Sequence, residues 1–229
     1  FYRREFENPF NLDYKRDKEN SLGYRFQLEN DFRMLGRTSS IDYGNEYQVA
    51  YYEGKNFGNV GGQADTIRFS DKLTNQISFW FADAKLNLTE SIKLTLGASL
   101  NHIQYDINRL EDKINNTPGR VVKEFDQVFS PRIALSKVWA NNFSTHISVS
   151  HGYSPPTTTE IRTNEGTLNL GLEPEMGVNY ELNLRGSALK NRLSYDLAMF
   201  IFNLDESITT ETDGQGVVLF RNSGQIDQK

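Results

Sequence analysis

The residues that could act as a base near neutral pH are three histidines, His102, His146 and His151. His146 lies between Ser144 and Ser148, and a serine hydrolase needs a serine and a histidine in contact. Residues two apart on one strand face stand roughly 7 Å from each other, whereas a nucleophile and its base approach to about 3 Å. Only a serine from a neighbouring strand could therefore pair with His146, and no catalytic residue is predicted.

Carboxylates are the other candidate metal ligands. Asp106, Glu111 and Asp112 are close in sequence, and carboxylate oxygens suit calcium, although solvated loop charges are the commoner outcome. His102 and His151 fall near predicted strand ends, where polar rim residues are commoner than metal ligands. We therefore predict no metal site and no cofactor.

Arginines in the predicted long loops are the candidates for ligand binding. Arg68, Arg120 and Arg162 could each hold an anionic ligand through forked hydrogen bonds, although surface arginines more often carry no ligand. Gly58, together with the pair at 61–62, belongs to such a loop, and no helix follows it. These glycines are therefore not a phosphate-binding loop.

Composition excludes several classes of protein. The 229 residues include 25 Lys and Arg against 30 Asp and Glu, and the net charge of -5 argues against a nucleic-acid partner. The absence of cysteine excludes disulfides, zinc clusters and thiol nucleophiles. No stretch approaches the roughly 18 apolar residues of a membrane-spanning helix.

The strongest pattern is an alternation of apolar and polar residues. It runs through Leu22–Met34, Ile92–Leu100, Phe143–Val149, Val178–Leu184 and Leu193–Ile201. Such alternation predicts strands with one apolar and one polar face. The strands that contain these runs are predicted to be about a dozen residues long, whereas soluble strands centre on roughly five or six and tilted membrane strands need about nine to eleven.

The connections between these strands are predicted to alternate between long and short. The long ones are Asn8–Asn20, Gly54–Thr74, Arg109–Phe125, Ser154–Met176 and Asp205–Gly216. The short ones are Gly36–Ser40, Thr89–Ser91, Trp139–Asn142 and Lys190–Asn191. Outer-membrane barrels have this asymmetry, with short periplasmic turns and long extracellular loops.

Aromatic residues mark the predicted strand ends, where amphipathic rings favour the lipid headgroups. The residues concerned are Tyr51, Tyr52, the run 79–81, Trp139 and Tyr153. The fold class predicted is all-β, an antiparallel up-and-down transmembrane β-barrel. Because a barrel wall must close, about ten strands would form a fragment that lacks strands at both ends.

Four short motifs follow one another in the second half of the chain. They are the run His151–Glu160 with its Ser-Pro-Pro, then Leu172–Glu175, Asn179–Leu182 and Phe220–Gly224. Their order and spacing resemble the barrel of TonB-dependent outer-membrane receptors of the siderophore type. Paired prolines end a strand and stiffen the entry to a loop, which gives one of these motifs a physical reason.

The resemblance implies that residues 1–229 are part of such a barrel, with the plug domain and the barrel C-terminus not present. It implies a location in the bacterial outer membrane, among its lipids, and no enzymatic activity. The implied ligand is a ferric siderophore or another scarce nutrient. The TonB complex would act through the missing N-terminal part.

Two other interpretations remain open at this stage. A small complete outer-membrane barrel, acting as a pore or adhesin, would need strands that close within this chain. A soluble all-β glycan-binding module would need shorter strands and no alternation of long and short connections.

Overall fold

The computed structural model describes residues 2–9, 13–116, 118–140, 143–163, 166–190, 192–212 and 218–228. The strands are β1 Tyr2–Pro9, β2 Asp13–Met34, β3 Arg37–Val60, β4 Gln63–Asn87, β5 Ile92–Asp112, β6 Gly119–Glu124, β7 Val128–Ala140, β8 Phe143–Ser154, β9 Glu175–Ala188, β10 Leu193–Asp205, β11 Ile208–Thr212, β12 Val218–Asn222 and β13 Ile226–Gln228. One short helix, α1, spans Thr158–Ile161. Among the described residues, no helix is long and apolar enough to cross a membrane.

The strands form one large antiparallel sheet in which each strand pairs with the next. Its order is β1-β2-β3-β4-β5-β7-β8-β9-β10-β13. β5 pairs with β7 along its first half and with β6 along its second half. The predicted all-β, up-and-down antiparallel fold of about ten strands is confirmed.

One face of the sheet carries an exposed apolar band. On β5 the band includes Leu96 and Leu100, and their cross-strand partners are Ile133 and Phe129 on β7 and Trp80 opposite Leu100 on β4. The opposite face of the same stretch is polar, with Lys93, Thr95, Ser99 and Asn101. Large apolar side chains on one exposed face fit a lipid-facing barrel wall with a polar lumen.

The apolar and polar faces exchange roles beyond Leu100. Ile103, Tyr105 and Ile107 on the inner face are at most 2% exposed, while Gln104 and Asp106 follow on the outer face. This half of β5 therefore lies outside the lipid. Its outer side meets water, and its inner side is covered by other parts of the chain.

Three of the predicted long connections are wrong in part, because they contain strands. Gly54–Thr74 is largely strand, because β3 and β4 continue to a tight turn at Gly61 and Gly62, whose φ angles are +62° and +85°. Arg109–Phe125 contains β6, and Asp205–Gly216 contains β11. Alternation breaks where the faces exchange, and the broken pattern resembles a loop.

The opposite end of the sheet has short turns, as expected, although β3 already begins at Arg37, within the predicted turn Gly36–Ser40. β2 turns into β3 at Leu35 and Gly36, whose φ angles are +52° and +73°, and residues 88–91 join β4 to β5. The predicted turns at Trp139–Asn142 and Lys190–Asn191 include residues 141, 142 and 191, which lie outside the described residues.

The aromatic residues divide between the two faces. Tyr51, Trp80 and Trp139 are more than half exposed on the outer face, as the predicted girdle requires. Tyr52 and Tyr153 instead pack against a buried apolar cluster on the inner face, and Phe79 shares that face. Adjacent residues of a strand point to opposite faces, so a run of aromatics cannot lie wholly in the girdle.

Candidate functional site

The connection between β8 and β9 folds back against the inner face of the sheet. Ile161 of α1 is 1% exposed and packs with Leu73 of β4 and with the inner-face residues of β5. The Tyr105 hydroxyl donates a hydrogen bond of 2.6 Å to the carbonyl of Pro156. Burial of these side chains provides the main attraction that holds the connection inside.

Local sequence explains why α1 begins where it does. The backbone nitrogen of Thr157 donates to the Glu160 carboxylate at 2.6 Å, and the Thr157 hydroxyl accepts from the Glu160 backbone nitrogen at 3.4 Å. This reciprocal arrangement is a capping box, which satisfies backbone donors at a helix start. Because the helix ends after one turn, Arg162 leaves it directly over β3 and β4.

A buried ionic cluster fixes that position. Asp71 of β4 receives two hydrogen bonds from Arg109 of β5, at 2.6 and 3.2 Å, and its second oxygen also receives one from Nε of Arg162. Arg109 also contacts Asp112 at 3.1 Å and the carbonyl of Gly166. Two arginines and two aspartates balance in charge, as buried ions require.

A strand irregularity brings Arg109 and Asp112 together. The pairing of β4 with β5 shifts between Ser70 and Asp71, so that Leu110 is an extra residue in β5. Without it, residues three apart on a strand would point to opposite faces. The bulge therefore places both charges on the inner face.

Gly54 makes room for Arg162. A Cβ atom at Gly54 would lie 2.7 Å from Nη2 of Arg162 and 2.7 Å from a ring carbon of Tyr52. The guanidinium also lies 5.0 Å from the centre of the Phe69 ring, as does that of Arg109. Arg162 thus fits into a slot shaped by a glycine and two aromatic rings.

A chamber of about 250 Å³ opens beside this slot. Its lining consists of inner-face residues of β1–β4 and the exposed side of α1, namely Arg4, Phe6, Lys15, Asp17, Glu19, Gln48, Ala50, Tyr52, Leu73, Asn75, Thr158, Thr159 and Arg162. Burial raises the pKa of the Tyr52 hydroxyl well above its ordinary value, outweighing the opposing charge of Arg162. Tyr52 is therefore a neutral hydrogen-bonding group in the wall.

The three predicted ligand-binding arginines are not brought together. Only Arg162 lines the chamber. Arg120 lies on β6, on the outer face, and pairs with Asp106 at 2.6 Å, and Arg68 is half-buried on β4. Hydrogen bonds from Arg120 lower the pKa of Asp106. Whether any of the three contacts a ligand stays a prediction.

The candidate metal ligands and the candidate catalytic residues are not brought together either. Asp106 and Asp112 belong to different ion pairs, and no three His, Asp or Glu side chains within the described ranges could hold a metal together. His146 bonds across strands to the Ser136 hydroxyl at 2.8 Å, rather than to Ser144 or Ser148.

Sequence reasoning missed Asp17, Tyr52, Asp71 and Arg109. A signal was present for two of them, because Asp71 lies two residues from Phe69 and from Leu73, and Arg109 lies two residues from Ile107. A charged residue two positions from an apolar one shares its strand face. What was missing was the pairing register, which aligns residues 38 positions apart in the chain.

Comparisons with known proteins agree with this architecture. Residues 2–228 match the family described as TonB dependent receptor-like, beta-barrel. The chain is 25% identical over 207 residues to the ferric-pyoverdine 358 receptor of Pseudomonas putida, covering 82% of this chain and 24% of that protein. It therefore spans about a quarter of the length of that relative.

Solved structures share the fold. The ferripyoverdine receptor of the Pseudomonas aeruginosa outer membrane, bound to ferripyoverdine, superposes with a TM-score of 0.68 at 18% identity, covering 94% of this chain and 30% of that one. A ferric citrate transporter in its unliganded form superposes with a TM-score of 0.74 at 13% identity, covering 98% of this chain and 33% of that one. Because the family match extends along almost the entire chain, this chain belongs to the family of TonB-dependent receptor β-barrels.

Proposed function

We propose that the chain is a section of barrel wall from an outer-membrane receptor that imports a ferric siderophore, energised by the TonB complex. Family membership carries the proposal, because the family consists of transport receptors. The relatives from P. putida and P. aeruginosa named for ferric pyoverdine support a siderophore as the cargo.

The distribution of side chains supports the same function. The apolar band faces lipid, the short turns face the periplasm, and the long strand ends project outside the cell. The inner-face chamber then lies at the extracellular end, where a ligand arrives. In the complete receptor, a plug domain outside residues 1–229 closes the barrel and transmits the pull of TonB.

Uptake of radioactive iron tests the proposal. The full-length receptor is expressed in an iron-starved Gram-negative strain that lacks its own siderophore receptors, and ferripyoverdine, ferrichrome and ferrioxamine B are supplied separately. We expect receptor-dependent uptake from at least one of these, abolished in a strain without TonB.

Two results would contradict the proposal. Equal uptake with and without the receptor for all three ferric siderophores would exclude siderophore import. Uptake that persists without TonB would indicate a passive pore. Ferric citrate, a smaller iron complex, is the comparison for size selectivity.

A further inference from the structure

Three residues that line the chamber beside Arg162 each carry a buried polar atom that forms no hydrogen bond with any described residue. These atoms are Oδ1 of Asp17, Oδ1 of Asn75 and Nη2 of Arg162. Asp17 and Arg162 are each 7% exposed, and all three side chains line the chamber. A buried polar atom without a partner destabilises the fold, and more so when it is charged. Such atoms around a cavity indicate a missing partner inside it.

The chemistry of the three atoms defines that partner. The two oxygens accept hydrogen bonds, and the Asp17 carboxylate favours a cation. Nη2 of Arg162 is a charged donor and favours a carboxylate or a carbonyl oxygen. The partner therefore carries an ammonium group and an oxygen acceptor a short distance apart.

The overall charge of the lining agrees with a dipolar partner. Arg4 and Lys15 balance Asp17 and Glu19, and Asp71 behind the wall balances Arg162. An ion of either sign would disturb this balance, whereas a zwitterion would not.

The size of the chamber limits the partner further. At about 250 Å³ it is smaller than the roughly 300–1,000 Å³ of pockets that enclose drug-sized ligands. A complete ferric siderophore does not fit, but a single amino-acid unit does.

We propose that the chamber is a subsite for an amino-acid side arm of the ferric siderophore, with the ammonium at Asp17 and Asn75 and the carboxylate or carbonyl at Arg162. This inference rests on the proposed function for the source of the amino acid. A free amino acid would present the same chemistry, and the experiment separates the two sources.

Binding is measured on the purified full-length receptor in detergent by saturation-transfer NMR. The probe is L-serine, which is compared with N-acetyl-L-serine, lacking the ammonium, and with 2-aminoethanol, lacking the carboxyl group and its carbonyl. We expect L-serine to bind, and each of the other two to bind at least about tenfold more weakly, as the loss of a charged hydrogen bond implies.

Asp17→Asn is the principal variant, because it removes the charge at constant size. It is expected to weaken L-serine binding about tenfold or more. Glu53→Gln is the matched control, since Glu53 precedes the cross-strand partner of Asp17, faces outwards and pairs with Lys72 at 3.3 Å. Asn75→Leu is a second variant, which removes the other acceptor. Circular dichroism verifies that each variant is folded.

Uptake assays then identify the source. Saturating L-serine should slow import of the transported ferric siderophore in the wild-type receptor and have no effect in Asp17→Asn.

Binding without such competition would overturn the side-arm assignment and leave a site for free amino acids. Failure of L-serine to bind, or equal binding to Asp17→Asn and wild type, would overturn the subsite and leave a chamber filled by water. NMR binding can be read even if no siderophore is transported, so failure of the proposed function is distinguishable.

Discussion

At the scale of single residues, Gly54 controls whether Arg162 can reach Asp71. In Gly54→Ala the new methyl carbon would lie 2.7 Å from the guanidinium, so the end of the Arg162 side chain must shift away from it. Trypsin cleaves after arginine, and Arg162 is only 7% exposed in the native fold. We expect the purified variant to be cut after Arg162 under conditions in which wild type resists, as followed by mass spectrometry of the fragments.

Gly58→Ala is the matched control on the same strand. Its Cβ would meet nothing closer than 3.6 Å, which is an ordinary contact. Equal resistance of Gly54→Ala and Gly58→Ala would show that Arg162 tolerates the methyl group and that the slot is wider than described.

The buried tyrosines predict a dependence of stability on alkaline pH. Burial raises the pKa of Tyr52 and of Tyr105 above the ordinary value of about 10. Above that pH the unfolded chain loses these protons while the folded chain keeps them, so ionisation favours unfolding. Stability is therefore complete below about pH 10 and falls as the pH rises further.

The measurement is denaturant unfolding of the purified receptor across this pH range. A variant with both Tyr52→Phe and Tyr105→Phe should lose stability less steeply with pH. Tyr51→Phe, at an outward position that is 55% exposed, should keep the wild-type slope. The explanation is refuted by identical slopes in the double variant and wild type.

At the scale of elements, β5 divides into a membrane half and an aqueous half. Leu96 faces lipid and Thr95 faces the lumen. We expect Leu96→Arg to destabilise the barrel by about 2–4 kcal/mol if it lies near the bilayer midplane, and Thr95→Arg to cost less. Reversible unfolding in lipid bilayers measures both variants, and equal costs would overturn the assignment of faces.

The same strand shows how far the sequence could predict the fold. Within the membrane, one face of the strand meets lipid and the other meets the polar lumen. Apolar and polar residues therefore alternate, and this alternation predicts the membrane-spanning part from the sequence. Beyond Leu100 the outer face becomes polar and the inner face apolar, so the alternation is interrupted and the sequence resembles that of a loop. The candidate site lies in this second region.

Site residues were harder to predict for a related reason. Arg162 was identified from its type alone, but its partner Asp71 is 91 positions away. Their meeting depends on the slot at Gly54 and the inward fold of the β8–β9 connection, and the bulge at Leu110 adds Arg109 and Asp112 to the same cluster. None of these has a periodic signal, because each results from strand register and tertiary packing.

At the scale of the whole molecule, the length of β3 predicts its orientation across the membrane. Its 24 residues, at about 3.3 Å each, extend far beyond the roughly 25 Å apolar band, even when tilted. Its two ends must therefore lie in different compartments. Because the short turns of such barrels face the periplasm, we expect Val60 outside the cell and Leu35, in the turn before β3, in the periplasm. Both side chains are about 70% exposed.

Single cysteines test this arrangement, since the chain contains none of its own. Val60→Cys in the full-length receptor should react with a membrane-impermeant maleimide on intact cells. Leu35→Cys should react only after the outer membrane is disrupted, because the short turns face the periplasm. The opposite pattern would mean that the barrel is inverted, which would place the chamber and its subsite on the side from which no siderophore arrives. Labelling of both positions on intact cells would mean that β3 does not cross the membrane at all.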